Sequence, residues 1–313
     1  MLKNRMKSIL DWGIKSAQPA YDHSRVFFWV CKGLGLVFLV AFSSLWVQWE
    51  GLFSSTGITS IATTLTHIAD QQLSWFQVPH SLGQGTDAGI AGVLIVGLIA
   101  SLCLIVGVVP ALSTALCWIA YLSFVNTGSV FMRFQWDVLL LEVSFILMLG
   151  MPWKKLWLPQ NSYAPPKWVI WASYACCFRL ILTSGLVKLS SGDPLWRSGN
   201  ALLFHYWTQP IPHSLSWWAH QFPAWFQWVS VWLMFGVELV VPWLIWINRQ
   251  TRMWAGVMII GLMTGVMITG NYCFFNGLTI VLAALLCDDM SWSKVRQFCK
   301  ISYKQPDPSY QYI

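Results

Sequence analysis

The chain has 313 residues, of which 56% are hydrophobic and 10% charged, with a formal net charge of +7. Soluble domains carry charge on roughly 25% of their residues, and the mean hydropathy here is +0.56. These values exclude a soluble enzyme or binding module and indicate a polytopic membrane protein.

The chain opens with a basic segment, residues 1–25, that contains Lys3, Arg5, Lys7, Lys15 and Arg25. Apolar windows long enough for a hydrocarbon core of roughly 30 Å follow at 26–47, 89–109, 111–131, 135–151, 168–189, 226–247, 253–270 and 274–288. They predict an all-α membrane bundle over 26–290 with about eight spans, because helices satisfy their own backbone groups in lipid. Outer loops are expected at 50–88 and 189–225, and a tail at 291–313. The third and fourth windows are interrupted by polar residues from Asn126 to Asp137. Only Asn271, Tyr272 and Cys273 divide the seventh from the eighth, so that pair reads either as two crossings or as one re-entrant hairpin. No cleavable signal peptide is expected, and the first window reads as a signal anchor.

With eight crossings, Lys154, Lys155 and Lys167, then Arg249 and Arg252, then Lys294, Arg296, Lys300 and Lys304 share one side with the basic start. Positive charge marks the cytoplasmic side, so both termini are expected there. The opposite side keeps Arg133, Arg197 and, at its edge, Lys188. The excess charge is thereby topogenic, and nucleic-acid binding is not needed; the lipid bilayer is the partner. Eight cysteines without a CxxC motif read as helix-packing groups rather than a redox centre. The twenty-two tryptophans cluster at span ends, as in Trp46 with Trp49 and Trp217 with Trp218, and read mainly as an interfacial belt. The segment from His213 to Trp228 reads as a helix lying on the outer surface, the alternative being an aromatic cage.

The apolar run ending in SGLVKLSSGDPLWRSGN, Ser184 to Asn200, raises the functional question. Lys188 closes the fifth window and SSGDP is a turn, so Lys188, Asp193, Trp196 and Arg197 face the outer space or a cavity opening to it. Arg133 and Asp137, then His205 and Gln209, then Asn271, Tyr272 and Asn276 are expected at the same level. Glu142, Arg179 and Glu238 fall inside windows, where ionisable groups are costly unless paired or hydrated. Two pairings are expected: Arg133 with Asp137, four apart on one helix, and Arg179 with either Glu142 or Glu238 as a buried pair. Lys188 has no partner at helical spacing and reads either as a functional amine or as a snorkelling side chain. His205, His213 and His220, with Asp193 upstream, lack the compact spacing of a zinc site, so no metal is expected.

RFQWDVLLLEVSF (Arg133 to Phe145), RLILTSGLVKLSSGDPLWRSGNALLFHYWTQPIPHSLSWWAH (Arg179 to His220) and TGNYCFFNGLTIVLAALLCDD (Thr269 to Asp289) resemble signature blocks of the lipase maturation factor family, as does Ser24 to Ile58. The resemblance implies an endoplasmic-reticulum membrane protein that helps exported lipases reach active form. Family members typically continue into a soluble C-terminal domain. This chain stops about two dozen residues after its last window, which resembles bacterial members and implies a bacterial inner membrane. More distantly, SGLVKL with Trp196 and Gly199 is similar to the helix-plus-lysine motif of the vitamin K-dependent gamma-carboxylase superfamily, which would make Lys188 a catalytic base. Three roles follow: a non-catalytic maturation factor with an exported lipase client, a membrane enzyme using Lys188 on a lipid-soluble small molecule, or a transporter. The first is the expectation, and no cofactor can be named.

Overall fold

The computed structural model describes residues 23–160, 163–209 and 211–298, and among these the chain is helical without strands. The basic segment 1–22, the residues from Cys299 onward and the side chains of Lys294 and Arg296 lie outside what is described. In chain order the helices are α1 (Ser24–Leu52), α2 (Ile61–Asp70), α3 (Asp87–Val106), α4 (Pro110–Thr127), α5 (Gln135–Leu149), α6 (Lys167–Ser190) and α7 (Pro194–Ser198). They continue with α8 (Leu202–Thr208), α9 (Ser214–His220), α10 (Ala224–Phe235), α11 (Leu244–Ile247), α12 (Arg249–Thr269), α13 (Phe275–Ala284) and α14 (Asp289–Phe298). A π turn at Gly236–Val240 and a 3-10 turn at Val241–Trp243 join α10 to α11 in one rod.

Local chemistry sets the boundaries. Gly107, with φ of +97°, closes α3 in the left-handed conformation, and Pro110 opens α4, so a tight turn separates them. The Asn248 side chain accepts from Thr251 N at 3.0 Å while Thr251 Oγ1 accepts from Asn248 N at 3.1 Å; this reciprocal cap starts α12 immediately after the rod.

Five elements are long and apolar enough to cross a membrane: α1, α3, α6, the α10–α11 rod and α12. The third, fourth and eighth windows give shorter helices than the sequence predicts. At 1.5 Å per residue, α4 reaches about 27 Å, α5 about 22 Å and α13 only about 15 Å. The reason is clearest for α13. The 270–274 link keeps Asn271 and Cys273 exposed but turns inward at its end: the Phe274 ring is buried and packs 6.3 Å from Tyr121, which lies six residues before the end of α4, about 9 Å back along its axis. The return helix therefore starts inside the bundle and packs on α1, α5, α6 and α12.

Hydrogen bonds gather the helix ends into two levels. At one end Asp289 accepts from Arg25 N and Val26 N at 3.0 and 2.8 Å, and Arg249 donates to Asp288 at 2.5 and 2.7 Å. Lys32 at the same end donates to the Ile105 and Val106 carbonyls, covering the exposed C-terminus of α3. Residues 156–158 also join there, with Val109 N donating to Leu156 O and Leu158 N to Gly107 O. At the far end Ser55 bonds Asp87, Asn126 reaches Pro79 O, and Gln209 meets the 269–271 segment.

One core runs through the bundle, with Phe38, Phe42, Tyr121 and Phe124 fully enclosed. Leu36, Val40, Ile95, Ile99, Leu102 and Ile119 face outward, a distribution suited to lipid and not to water. Exposed Trp153, Trp157, Trp168 and Trp254 ring the first end and Trp75, Trp217, Trp218 and Trp225 the far end. The 213–228 segment is not one surface helix: α9 ends at His220, and Trp225 and Trp228 belong to the rod.

Candidate functional site

α6 and the rod run antiparallel. Each Cα–Cβ bond tilts toward its own helix N-terminus, so Lys188 leans back into the bundle while Glu238 leans toward the far end, and the two meet. Lys188 Nζ lies 2.7 and 2.8 Å from the two carboxylate oxygens, and Ser184 Oγ, one turn below, accepts from Nζ at 3.0 Å and donates to Glu238 Oε1 at 3.2 Å. The Lys188 side chain is 22% exposed and that of Glu238 4%. Lys188 is thus turned inward rather than snorkelling, and its partner is fifty residues away in sequence.

Two features allow this approach. Gly185 sits where the helices are closest, since a Cβ there would stand 2.7 Å from Leu239 Cδ2 and 3.0 Å from Glu238 Cβ. The π turn places Glu238 itself, and such turns inside helices often mark functional positions.

The outer segment closes over the pair. Asp193 caps α7 by accepting from Leu195 N at 2.8 Å, with Pro194 at the first helical position. Gly199, with φ of +78°, ends that helix against Trp228, where a Cβ would meet the indole at 2.6 Å. This folds Trp196 over Lys188, its ring centroid 5.8 Å from Nζ, within cation–π range. Arg197 turns back to bond the Leu189 carbonyl at 3.2 Å.

α8 supplies His205, whose Nε2 is 2.7 Å from the Tyr272 hydroxyl, the rings stacked with centroids 5.9 Å apart. Burial, then the nearby Lys188 charge, pushes the His205 pKa down. Burial, aided by Tyr206 and Glu238, pushes Tyr272 up to about 12. The imidazole is therefore neutral and the phenol protonated near neutral pH, and which of the two donates in this bond is set by the imidazole tautomer. Gln209 locks this layer together: Nε2 donates to the Tyr206 and Thr269 carbonyls and to Ser216 Oγ, and Oε1 accepts from Asn271 N at 3.0 Å.

Lys188, Trp196, His205, Gln209, Glu238, Asn271 and Tyr272 are therefore brought together, while Asp193 and Arg197 shape the turn that carries Trp196. The other sequence candidates stand apart. Arg133 is exposed and precedes α5 rather than sharing it, so the expected pair with Asp137 does not form; Asp137 instead accepts from Tyr121 O–H at 2.6 Å and Phe134 N at 3.1 Å. Arg179 pairs with Glu142, not Glu238, and on the outside of the bundle rather than buried. Asn276 is buried on α13 with its side-chain nitrogen unpartnered.

Sequence reasoning missed Ser184, Ser216 and Tyr121, whose hydroxyls give no signal in an apolar run, and Lys32, a lone lysine nine residues into the first helix. The histidines diverge: His213 Nδ1 caps α9 by accepting from Leu215 N, His220 lies against Trp207, and His205 faces Tyr272. Among the described residues no three His, Cys, Asp or Glu side chains converge as a metal site.

Chemically the cluster is a balanced ion pair under an indole, edged by a neutral imidazole, a phenol and a carboxamide. It can exchange hydrogen bonds with a polar group entering from the far end. For Lys188 to act as a base, its amine would first have to leave Glu238.

A family model described as the lipase maturation factor transmembrane domain matches residues 25–294. Lipase maturation factor 2 of Xenopus laevis is 35% identical over 290 residues, covering 87% of this chain and 40% of the relative. The Gallus gallus protein of that name is 37% identical over 275 residues, covering 82% of this chain and 38% of the relative, and the Homo sapiens one 36% over 282 residues, covering 82% and 39%. The chain thus spans about 40% of the length of these curated relatives. No solved structure matches.

Proposed function

The chain belongs to the lipase maturation factor family, and we propose that it is a membrane-embedded maturation factor for exported lipases, with the far end of the bundle as its working face. The observation that carries the reading is the Lys188–Glu238 cluster, a polar patch assembled from α6, α8, the rod and the 270–274 link at one end of an otherwise apolar bundle. A folding client exposes unsatisfied backbone groups and apolar side chains together. Hydrogen-bonding groups set beside exposed Trp207, Trp217 and Trp218 suit both.

Eight crossings with both termini in the cytoplasm is the topology we adopt. It is supported by the two levels of helix ends, and by Lys154, Lys155, Lys167, Arg249 and Arg252 belonging to the same level. The matched relatives named above are eukaryotic and give a bacterial inner membrane no support; the endoplasmic-reticulum membrane is the reading retained. Catalysis by Lys188 is the weaker alternative, because its amine is committed to Glu238 and Ser184.

Site-specific photo-crosslinking tests the working face. A photoreactive residue at Phe204 or Trp217 should trap a co-expressed secreted lipase, whereas one at Trp157, at the opposite end, should not. Equal capture from both ends, or none from the far end, would refute the assignment.

A further inference from the structure

We propose that the outer face of α5 and α6 is an interface between two copies of this chain, formed by exchange of the Arg179–Glu142 ion pair. Arg179 is the thirteenth of 24 residues in α6 and Glu142 the eighth of 15 in α5, so both stand at mid-length of their helices, the deepest level of the bilayer. Their side chains are nevertheless 58% and 32% exposed on the outside of the bundle. With Thr183, whose hydroxyl is spent on the Arg179 carbonyl at 2.7 Å, they form a small polar spot among Val138 and Phe145 on α5 and Leu186 on α6, all exposed and apolar.

Charged groups at this depth face a bundle interior or a water-filled cavity, because hydrocarbon offers them nothing. This pair faces neither within one chain. The covering surface must therefore be apolar around its edge and carry opposite charges at its centre.

A second copy meets both demands. Two chains inserted with the same topology are related by a twofold axis along the membrane normal, which makes an interface self-complementary. Arg179 and Glu142 stand side by side at one depth on neighbouring helices. An axis passing between them sets each arginine against the partner's glutamate and closes a ring of four alternating charges. Ala172 and Ala175 lie on the same stripe of α6 as Arg179, and small residues let helix backbones approach in membranes.

The test uses fluorescent-protein fusions reconstituted in liposomes and counted by single-molecule photobleaching as the protein-to-lipid ratio falls. Wild type should bleach in two steps well above random co-capture. Arg179→Glu alone, with two negative groups, and Glu142→Arg alone, with two positive groups, should each bleach in one step. Mixed before reconstitution, they should recover two-step bleaching at least tenfold above either alone, a rescue that misfolded variants cannot give. The milder Arg179→Gln/Glu142→Gln variant, which keeps hydrogen-bonding groups, should lose dimers about tenfold. Wild type that is monomeric at every density, a mixture no better than its components, or a neutral variant that dimerises normally would each overturn the proposal. So would a monomeric Glu142→Arg that retains phosphatidylglycerol through purification, which would make the spot a headgroup site.

Discussion

Replacing Lys188 by Met leaves the Glu238 carboxylate, 4% exposed, without its cation between α6 and the rod. Breaking a buried pair from one side costs about 3–5 kcal/mol, and Ser184 alone cannot replace two bonds of 2.7 and 2.8 Å. The reciprocal change, Glu238→Leu, should cost roughly half as much, because the 22%-exposed lysine can swing its stem toward the far end. The double variant, Lys188→Met with Glu238→Leu, removes both charges and fills the space with apolar atoms, so it should be within about 1 kcal/mol of wild type or more stable. The interaction energy from this cycle is then at least about 3.5 kcal/mol. It is read from thermal-unfolding midpoints of the detergent-purified proteins at one pH and salt. A coupling below about 0.5 kcal/mol would show that the pair does not hold α6 to the rod, and the described geometry of the site would be wrong.

Gly185→Ala should force Leu239 and Glu238 away from the helix contact and cost about 1–3 kcal/mol, measured by the same unfolding assay. Because the folded-state pKa of His205 is lowered below 6.5, the unfolded chain takes up its proton first as pH falls. Stability from this residue is therefore full above about 6.5 and declines as pH drops through that value; melting at pH 7.5 and 5 should differ for wild type and differ less for His205→Gln. Gln209→Ala removes the bonds to Ser216, Thr269 and Asn271, so hydrogen exchange over 201–220 should quicken by about tenfold while α1 and α3 are unchanged.

The membrane class and most of the helices were legible from apolar windows and turn residues, because lipid forces the backbone into helices and leaves long apolar runs as evidence. The Gly107–Pro110 turn and the Asn248 cap fall at the limits of the apolar windows 89–109 and 226–247. What the sequence hid were distances between helices. Lys188 and Glu238 are fifty residues apart on separate elements, and only the opposed tilt of side chains on antiparallel helices brings them together. The Arg179 partner was a choice between two acidic residues that helix packing alone decides. Arg133 misled because four-residue spacing means proximity only inside a helix, and α5 begins two residues later. The shortness of α13 follows from the link being drawn inward onto Tyr121, a tertiary contact with no local signature.

In the proposed role this bundle raises the fraction of an exported lipase that reaches active form, through the polar cluster at its far end. The most direct measurement is lipase activity per molecule of secreted lipase in cells lacking family members, complemented with wild type or with the Lys188→Met/Glu238→Leu double variant at matched membrane abundance. Wild type should raise activity per molecule severalfold without changing lipase synthesis, and the equally stable double variant should not. Activity per molecule that is the same with wild type as with an empty control would contradict the maturation role, and full rescue by the double variant would remove the cluster from it.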